Sequence, residues 1–142
     1  MSADSTMADE HSLDWLLGNL QRRTPEVRHV LVLSRDGLKL SYTPELGTDR
    51  ADQLAAVAAG IQSLSLSASA EFGAGLGSGQ SMLEFPGGLL LIVPAGEGAH
   101  LAVVASDLAD VGLVGHNMNE LVEQIGSHLT APPRHAQPSP AP

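Results

Sequence analysis

The sequence predicts an α+β fold: a five-stranded antiparallel sheet with helices packed on it, in the order α-β-β-α-β-β-β-α. Three observations carry this. Three segments repeat apolar residues at helical spacing. Two groups of short β-rich runs are joined by turns of hairpin length, which makes neighbouring strands antiparallel. The chain has 142 residues, which is one domain's worth and enough to build a core of its own.

Ser12 is a good N-cap for the first helix, with Leu13, Leu16, Leu17 and Leu20 at helical spacing and Arg22 and Arg23 in the last turn. Pro25 ends it. Val30, Leu31, Val32 and Leu33 then form a strand, Arg35-Asp36-Gly37 a hairpin turn, and Leu38, Leu40 and Tyr42 a second strand, closed by Pro44 and Gly47. Thr48 or Asp49 caps a longer helix to about residue 70, with Leu54, Val57, Ala58, Ile61, Leu64 and Ala68 as its apolar face. A glycine-rich stretch over 72–79 breaks the pattern. Strands follow at about 80–85, 89–94 and 99–105, turned by Pro86-Gly87-Gly88 and Gly96-Glu97-Gly98. Asp107 or Asp110 caps a last helix carrying Val114, Met118, Leu121, Val122, Ile125 and Leu129 on one face. Residues 1–11 are small, polar and acidic, and residues 131–142 hold five of the nine prolines. Both are expected as disordered tails, with the folded domain at 12–130.

Composition excludes several functions. Seven Lys and Arg stand against 16 Asp and Glu, a net charge of -9, which is the wrong sign for binding a nucleic-acid backbone. With 3% aromatic residues there are few faces on which bases could stack. There is no cysteine, so disulfides, thiolate metal sites and Cys nucleophiles are all removed. The most apolar run, residues 89–93, is far short of the roughly 20 residues of a membrane-spanning helix. The N-terminus lacks the basic and apolar regions of a secretory signal, so a cytoplasmic protein is expected.

The chemistry-bearing candidates are weak. Gly73, Gly75, Gly77 and Gly79 suggest a phosphate loop, but the run leaves a helix and enters a strand, the reverse of that motif, and no Lys follows. A helix C-cap with a linker fits better. Ser78 sits in the wrong frame for a nucleophile elbow. His116 and Glu120, with Glu123 nearby, share one helix face and could form a metal site. The apolar stripe of that helix lies elsewhere, so a solvated pair is expected. His29 and His100 fall in or beside strands and are expected as surface or hydrogen-bonded residues. No enzyme signature, cofactor motif or metal site emerges. Arg22, Arg23, Arg28, Arg35 and Lys39 are five of the seven positive residues. They form either a solvated segment or a basic rim that orients a partner.

The central helix is the most informative feature. Residues 53–70 carry no charge, whereas an ordinary surface helix has charges on its outer face. Away from its apolar stripe it presents Ala55, Ala56, Ala59, Ser63, Leu66, Ser67 and Ala70, small residues with one Leu. Small side chains let another backbone approach closely. The reading is a helix covered on both faces, the second cover being another molecule; the alternative is a plain exposed Ala/Ser helix.

In this order of elements the chain resembles the roadblock / dynein light chain family, in its bacterial form. Residues 27–42 look like that family's first hairpin, with Asp36-Gly37 followed by Leu38. Residues 51–70 resemble its Ala-rich central helix, and residues 110–129, with Met118 and Leu121, its closing helix. The resemblance spans about 12–130. It implies a homodimer whose sheets join through the third strand, here about 81–85, with the central helices side by side. That makes Ala55, Ala56, Ala59, Ser63, Leu66, Ser67, Met82 and Glu84 the expected dimer and partner interface. It implies a non-catalytic adaptor or regulator of a small Ras-like GTPase, with a sensor-kinase-like protein as a further partner in actinobacterial modules. The competing expectation is a small-ligand sensory domain, which would need a pocket with convergent polar groups; the Leu, Val, Ile and Ala of the expected core leave little to line one.

Overall fold

The computed structural model describes the backbone of residues 2–74 and 79–130, and the side chains of 13–74 and 79–127. The expected C-terminal tail and the positions of Gly75, Gly77 and Ser78 lie outside the described residues. The elements are α1 (Ser2–Arg23), β1 (Val27–Ser34), β2 (Lys39–Tyr42), a 3-10 turn (Pro44–Leu46), α2 (Thr48–Phe72), β3 (Ser81–Phe85), β4 (Gly88–Pro94), β5 (Ala99–Ser106) and α3 (Val111–Thr130). The order is the expected one. The strands form one antiparallel sheet, β2-β1-β5-β4-β3, so β3 and β2 are its edges.

Helix boundaries differ from expectation for local reasons. The sequence places a cap at Ser12, but α1 runs through it from Ser2. At α2 the N-cap is Gly47, at φ 81°, rather than Thr48 or Asp49. The Thr48 hydroxyl is engaged instead with the Tyr42 hydroxyl at 3.0 Å, and Asp49 sits in the first turn, where the helix dipole favours its charge. Of the two aspartates before α3, Asp110 is the cap: its Oδ1 accepts the Leu113 amide at 3.2 Å.

Both faces of the sheet are apolar, and each has its own core. On one face α1 and α3 pack over Val30, Val32, Leu91, Leu101 and Val103 through Leu17, Leu20, Met118, Leu121 and Ile125. A buried hydrogen bond from Asn117 to the Thr24 hydroxyl, 2.9 Å, ties α3 to the end of α1. On the other face α2 packs alone over Leu31, Leu33, Leu90, Ile92 and Ala102. It presents the smallest side chains it has: Ala51, Ala55 and Ala58. The β1–β2 turn lies close against α2. Gly37 has φ 89°, and a Cβ there would stand 3.4 Å from that of Ala59.

This corrects part of the expected facing of the central helix, whose Ala58 is buried as expected. Val57 and Leu64, expected in the core, are exposed, while Ala55, expected on the outer surface, is fully buried. Leu54 and Ile61 flank the alanine row, partly buried against the same core, whereas Val57 and Leu64 are turned off the sheet.

Ala55→Leu should therefore destabilise the protein by about 1–3 kcal/mol through overpacking, although on an outer surface it would be neutral. Leu17→Ala should cost about 2–5 kcal/mol through the cavity it leaves. Urea unfolding of both variants checks the two faces separately.

Candidate functional site

The uncovered part of the molecule is where α2 outruns its packing. Its sheet-facing row, Ala51, Ala55, Ala58 and Gln62, ends at Gln62. Beyond it Leu64 is 72% exposed, Leu66 48% and Phe72 86%. The adjoining strand β3 is an edge with no partner on its outer side, and Met82, Leu83 and Phe85 are all exposed. Of the 13 large hydrophobic residues exposed among the described residues, seven lie on α2 and β3: Val57, Leu64, Leu66, Phe72, Met82, Leu83 and Phe85. An apolar surface concentrated along an unpaired edge marks an interaction site.

Register fixes which β3 side chains face α2. Ser81, Leu83 and Phe85 pair with Ile92, Leu90 and Gly88, on the α2 side of the sheet. Met82 and Glu84 pair with Leu91 and Leu89, on the α1–α3 side. So the expected interface residues divide. Ala56, Ser63, Leu66 and Ser67 are exposed on α2, and so is Ala70. Ala59 is half-buried against the Gly37 turn, Ala55 is buried, and Met82 and Glu84 occupy the opposite face of the sheet. Sequence reasoning missed Leu83 and Phe85. Their signal was the alternation that puts them in phase with Ser81. It also missed Gly60, exposed on the outer side of α2, where a Cβ would meet nothing within 4 Å.

A small polar network joins α2 to the edge strand. Gln62 is 3% exposed. Its amide nitrogen donates to the Gly79 carbonyl at 3.2 Å, and its oxygen accepts the Ser81 hydroxyl at 2.5 Å. The same nitrogen lies 3.5 Å from His100 Nδ1 on β5. Burial first, and then the charge of Arg35, hold the His100 ring below its ordinary pKa. His29 on β1 is also held below it, by burial and by Arg50, with Glu45 opposing and Arg28 adding; its buried Nδ1 has no hydrogen-bond partner among the described residues. Gln62, His100, Arg35, Leu66 and the β4–β5 turn line a groove of about 540 Å3 beside α2.

The remaining candidates separate in space. Arg28 and Arg35 stand at opposite ends of β1, whose eight residues span roughly 25 Å. Arg23 pairs with Glu120 on α3 at 3.4 Å, and Lys39 with Asp52 on α2 at 2.5 Å. The positive residues are thus no single rim. His116 and Glu120 form an exposed pair at 3.3 Å on α3. Gly73, the first glycine of the run, ends α2 in an extended conformation, its amide donating to the Ser69 carbonyl at 2.8 Å. No group of three potential metal ligands occurs among the described residues, and no helix among them is long and apolar enough to cross a membrane.

Known proteins give the frame for this surface. The family model described as Roadblock/LC7 domain matches residues 13–105. A crystal structure of a Roadblock/LC7 domain from Streptomyces avermitilis is 38% identical, covers 83% of this chain and 98% of its own, and superposes with a TM-score of 0.79. A second Roadblock/LC7 structure from the same organism is 41% identical, with coverages of 80% and 97% and a TM-score of 0.66. Myxococcus xanthus MglB, 14% identical over 85% of this chain and 97% of its own, shares the fold, with a TM-score of 0.76. No curated protein sequence matches the chain.

The two histidines set a pH dependence. Each is held below 6.5 in the folded chain, so below about 6.5 the unfolded chain binds more protons and stability falls. Melting temperature should drop between about pH 7 and pH 5.5, and His29→Gln/His100→Gln should flatten that drop.

Proposed function

The chain belongs to the Roadblock/LC7 family, and from that membership and its open α2–β3 surface we propose a homodimeric, non-catalytic cytoplasmic adaptor or regulator that binds a small Ras-like GTPase, in a module that includes a sensor-kinase-like protein. The observation that carries the reading is the unpaired β3 edge with Leu83 and Phe85 exposed on the side that α2 occupies. Pairing of β3 with its copy about a twofold axis would satisfy the edge hydrogen bonds and continue the sheet across the dimer. The two α2 helices would then lie on the same side of that sheet.

The chemistry of α2 supports close contact there. Gly60 in the middle of a helix costs about 1 kcal/mol relative to Ala, and nothing in the monomer occupies the space its missing side chain leaves. Ala56, Gly60 and Leu64 follow one another a turn apart, so a second backbone could approach along this row. The absence of charge from 53 to 70 removes a desolvation cost. The dimer would present α2 residues Ser63, Leu66 and Ser67 from each subunit to the GTPase. No arginine occurs in α2 beyond Arg50 in its first turn, so faster hydrolysis would come from arranging the GTPase's own groups.

Light scattering should give twice the 14.7 kDa chain mass at micromolar concentration, and the interface should bury about 1,200–2,000 Å2. Leu64→Glu with Phe85→Glu should return a folded monomer, since both side chains are exposed. A monomeric parent would overturn the dimer.

Binding of small Ras-like GTPases from the same organism, loaded with GTP or GDP, tests the adaptor role. Parent dimer should bind at least one state, and Leu66→Asp should weaken that binding about tenfold or more. Absence of binding in both states would discard the GTPase reading.

A further inference from the structure

The groove beside α2 has the composition of a ligand site, not of a helix contact. Two turns form its outer wall, the β1–β2 turn with Arg35 and the β4–β5 turn over Gly96, Glu97 and Gly98. The Arg35 amide donates to the Gly98 carbonyl at 3.0 Å, which ties the two turns together. The floor is polar and fixed in orientation: Gln62 is anchored by Gly79 and Ser81, and its amide nitrogen faces His100 Nδ1. With Nδ1 as the acceptor, the neutral imidazole carries its hydrogen on Nε2 as a donor. The walls are apolar, from Ala59, Leu66 and Pro94. The volume of about 540 Å3 falls within the range of small-molecule sites.

The charges define the ligand. Arg35 makes no ion pair among the described residues, whereas Arg23 and Lys39 each have a carboxylate. A guanidinium presents a planar fork that matches a carboxylate. Glu97 on the same lining offsets the Arg35 charge at longer range and disfavours a dianion such as phosphate, so an anion gains there only through a single carboxylate in direct contact with the Arg35 fork. The apolar wall suits a short hydrocarbon chain on that anion.

We propose that this groove binds a small apolar monocarboxylate, its carboxylate held by Arg35 and its chain laid against Leu66, Ala59 and Pro94. The site is built within one protomer. It does not depend on the GTPase reading, and it restores a ligand-sensing role beside the adaptor role.

Hexanoate is the probe, added to the purified full chain without a GTPase and followed by NMR on the His100 ring and the Gln62 side-chain amide. Saturable shifts of both, with a Kd of about 1 mM or tighter, are expected. Hexanamide, which has the chain without the charge, and acetate, which has the charge without the chain, should each bind at least about tenfold more weakly. Arg35→Gln, on an exposed turn, should weaken hexanoate by about tenfold or more and leave the melting temperature of the free protein unchanged. Equal binding of hexanamide, of acetate, or of hexanoate to Arg35→Gln would overturn the proposal. So would the absence of any saturable shift up to about 20 mM.

Discussion

A sheet that is apolar on both faces must be covered on both faces, and this chain has two helices for one side and one for the other. The strands β1, β4 and β5 are buried almost throughout, so water can be tolerated on neither side. On the α1–α3 side the two helices cover β1, β4 and β5 and leave only Met82 and Glu84 of β3 exposed. On the other side α2 lies tightly on the sheet through alanines and then runs past its last buried residue, Gln62. What it leaves bare is the outer strand β3 and its own distal half. The functional surface is thus a consequence of how the helices are shared between the two faces.

Elements were legible where one period dominated the local pattern. The closing helix is the clearest case: its stripe of Val114, Met118, Leu121 and Ile125 is the stripe that packs. The central helix has two rows of apolar residues, and the sequence alone ranks them by size. That ranking put Leu54, Val57, Ala58, Ile61, Leu64 and Ala68 inward; Ala58 is buried and Leu54 and Ile61 are partly buried on that core, while Val57, Leu64 and Ala68 are exposed. The deciding factor is the close approach of α2 to the sheet, where the alanine row lies innermost and the Gly37 turn packs beside it. A buried Gln62 was equally invisible, because its partners Gly79, Ser81 and His100 come from three later points in the chain. The register of β3 was readable only once Ser81 was known to face α2.

Of the two readings of the basic segment, the single rim is the one the fold takes apart. Five positive residues close together in sequence look like one patch, but an extended strand is the most efficient way to carry neighbours apart. β1 sends Arg28 and Arg35 to opposite ends of the sheet, and Arg23 and Lys39 find acids on different helices. Arg35 is left beside a histidine whose burial already disfavours protonation. A cation with no ion pair among the described residues, set beside an oriented polar floor, is a more specific feature than a rim of five, because a counter-charge there would meet both a fixed geometry and an apolar wall.

Leu66 belongs to both surfaces. It lines the groove and is exposed on the α2 side proposed to meet a partner. A chain lying against Leu66 in the groove changes the side chain's freedom and the area it offers across α2. Linkage is reciprocal: whatever factor the ligand imposes on partner affinity, the partner imposes on ligand affinity. A rigid helix with one residue in two contacts is a short path for such coupling, requiring no rearrangement of the fold. The marginal packing of the α2 distal half, held by a few small residues and one buried glutamine, makes it the part of the molecule where small differences in contact free energy have the largest effect on position.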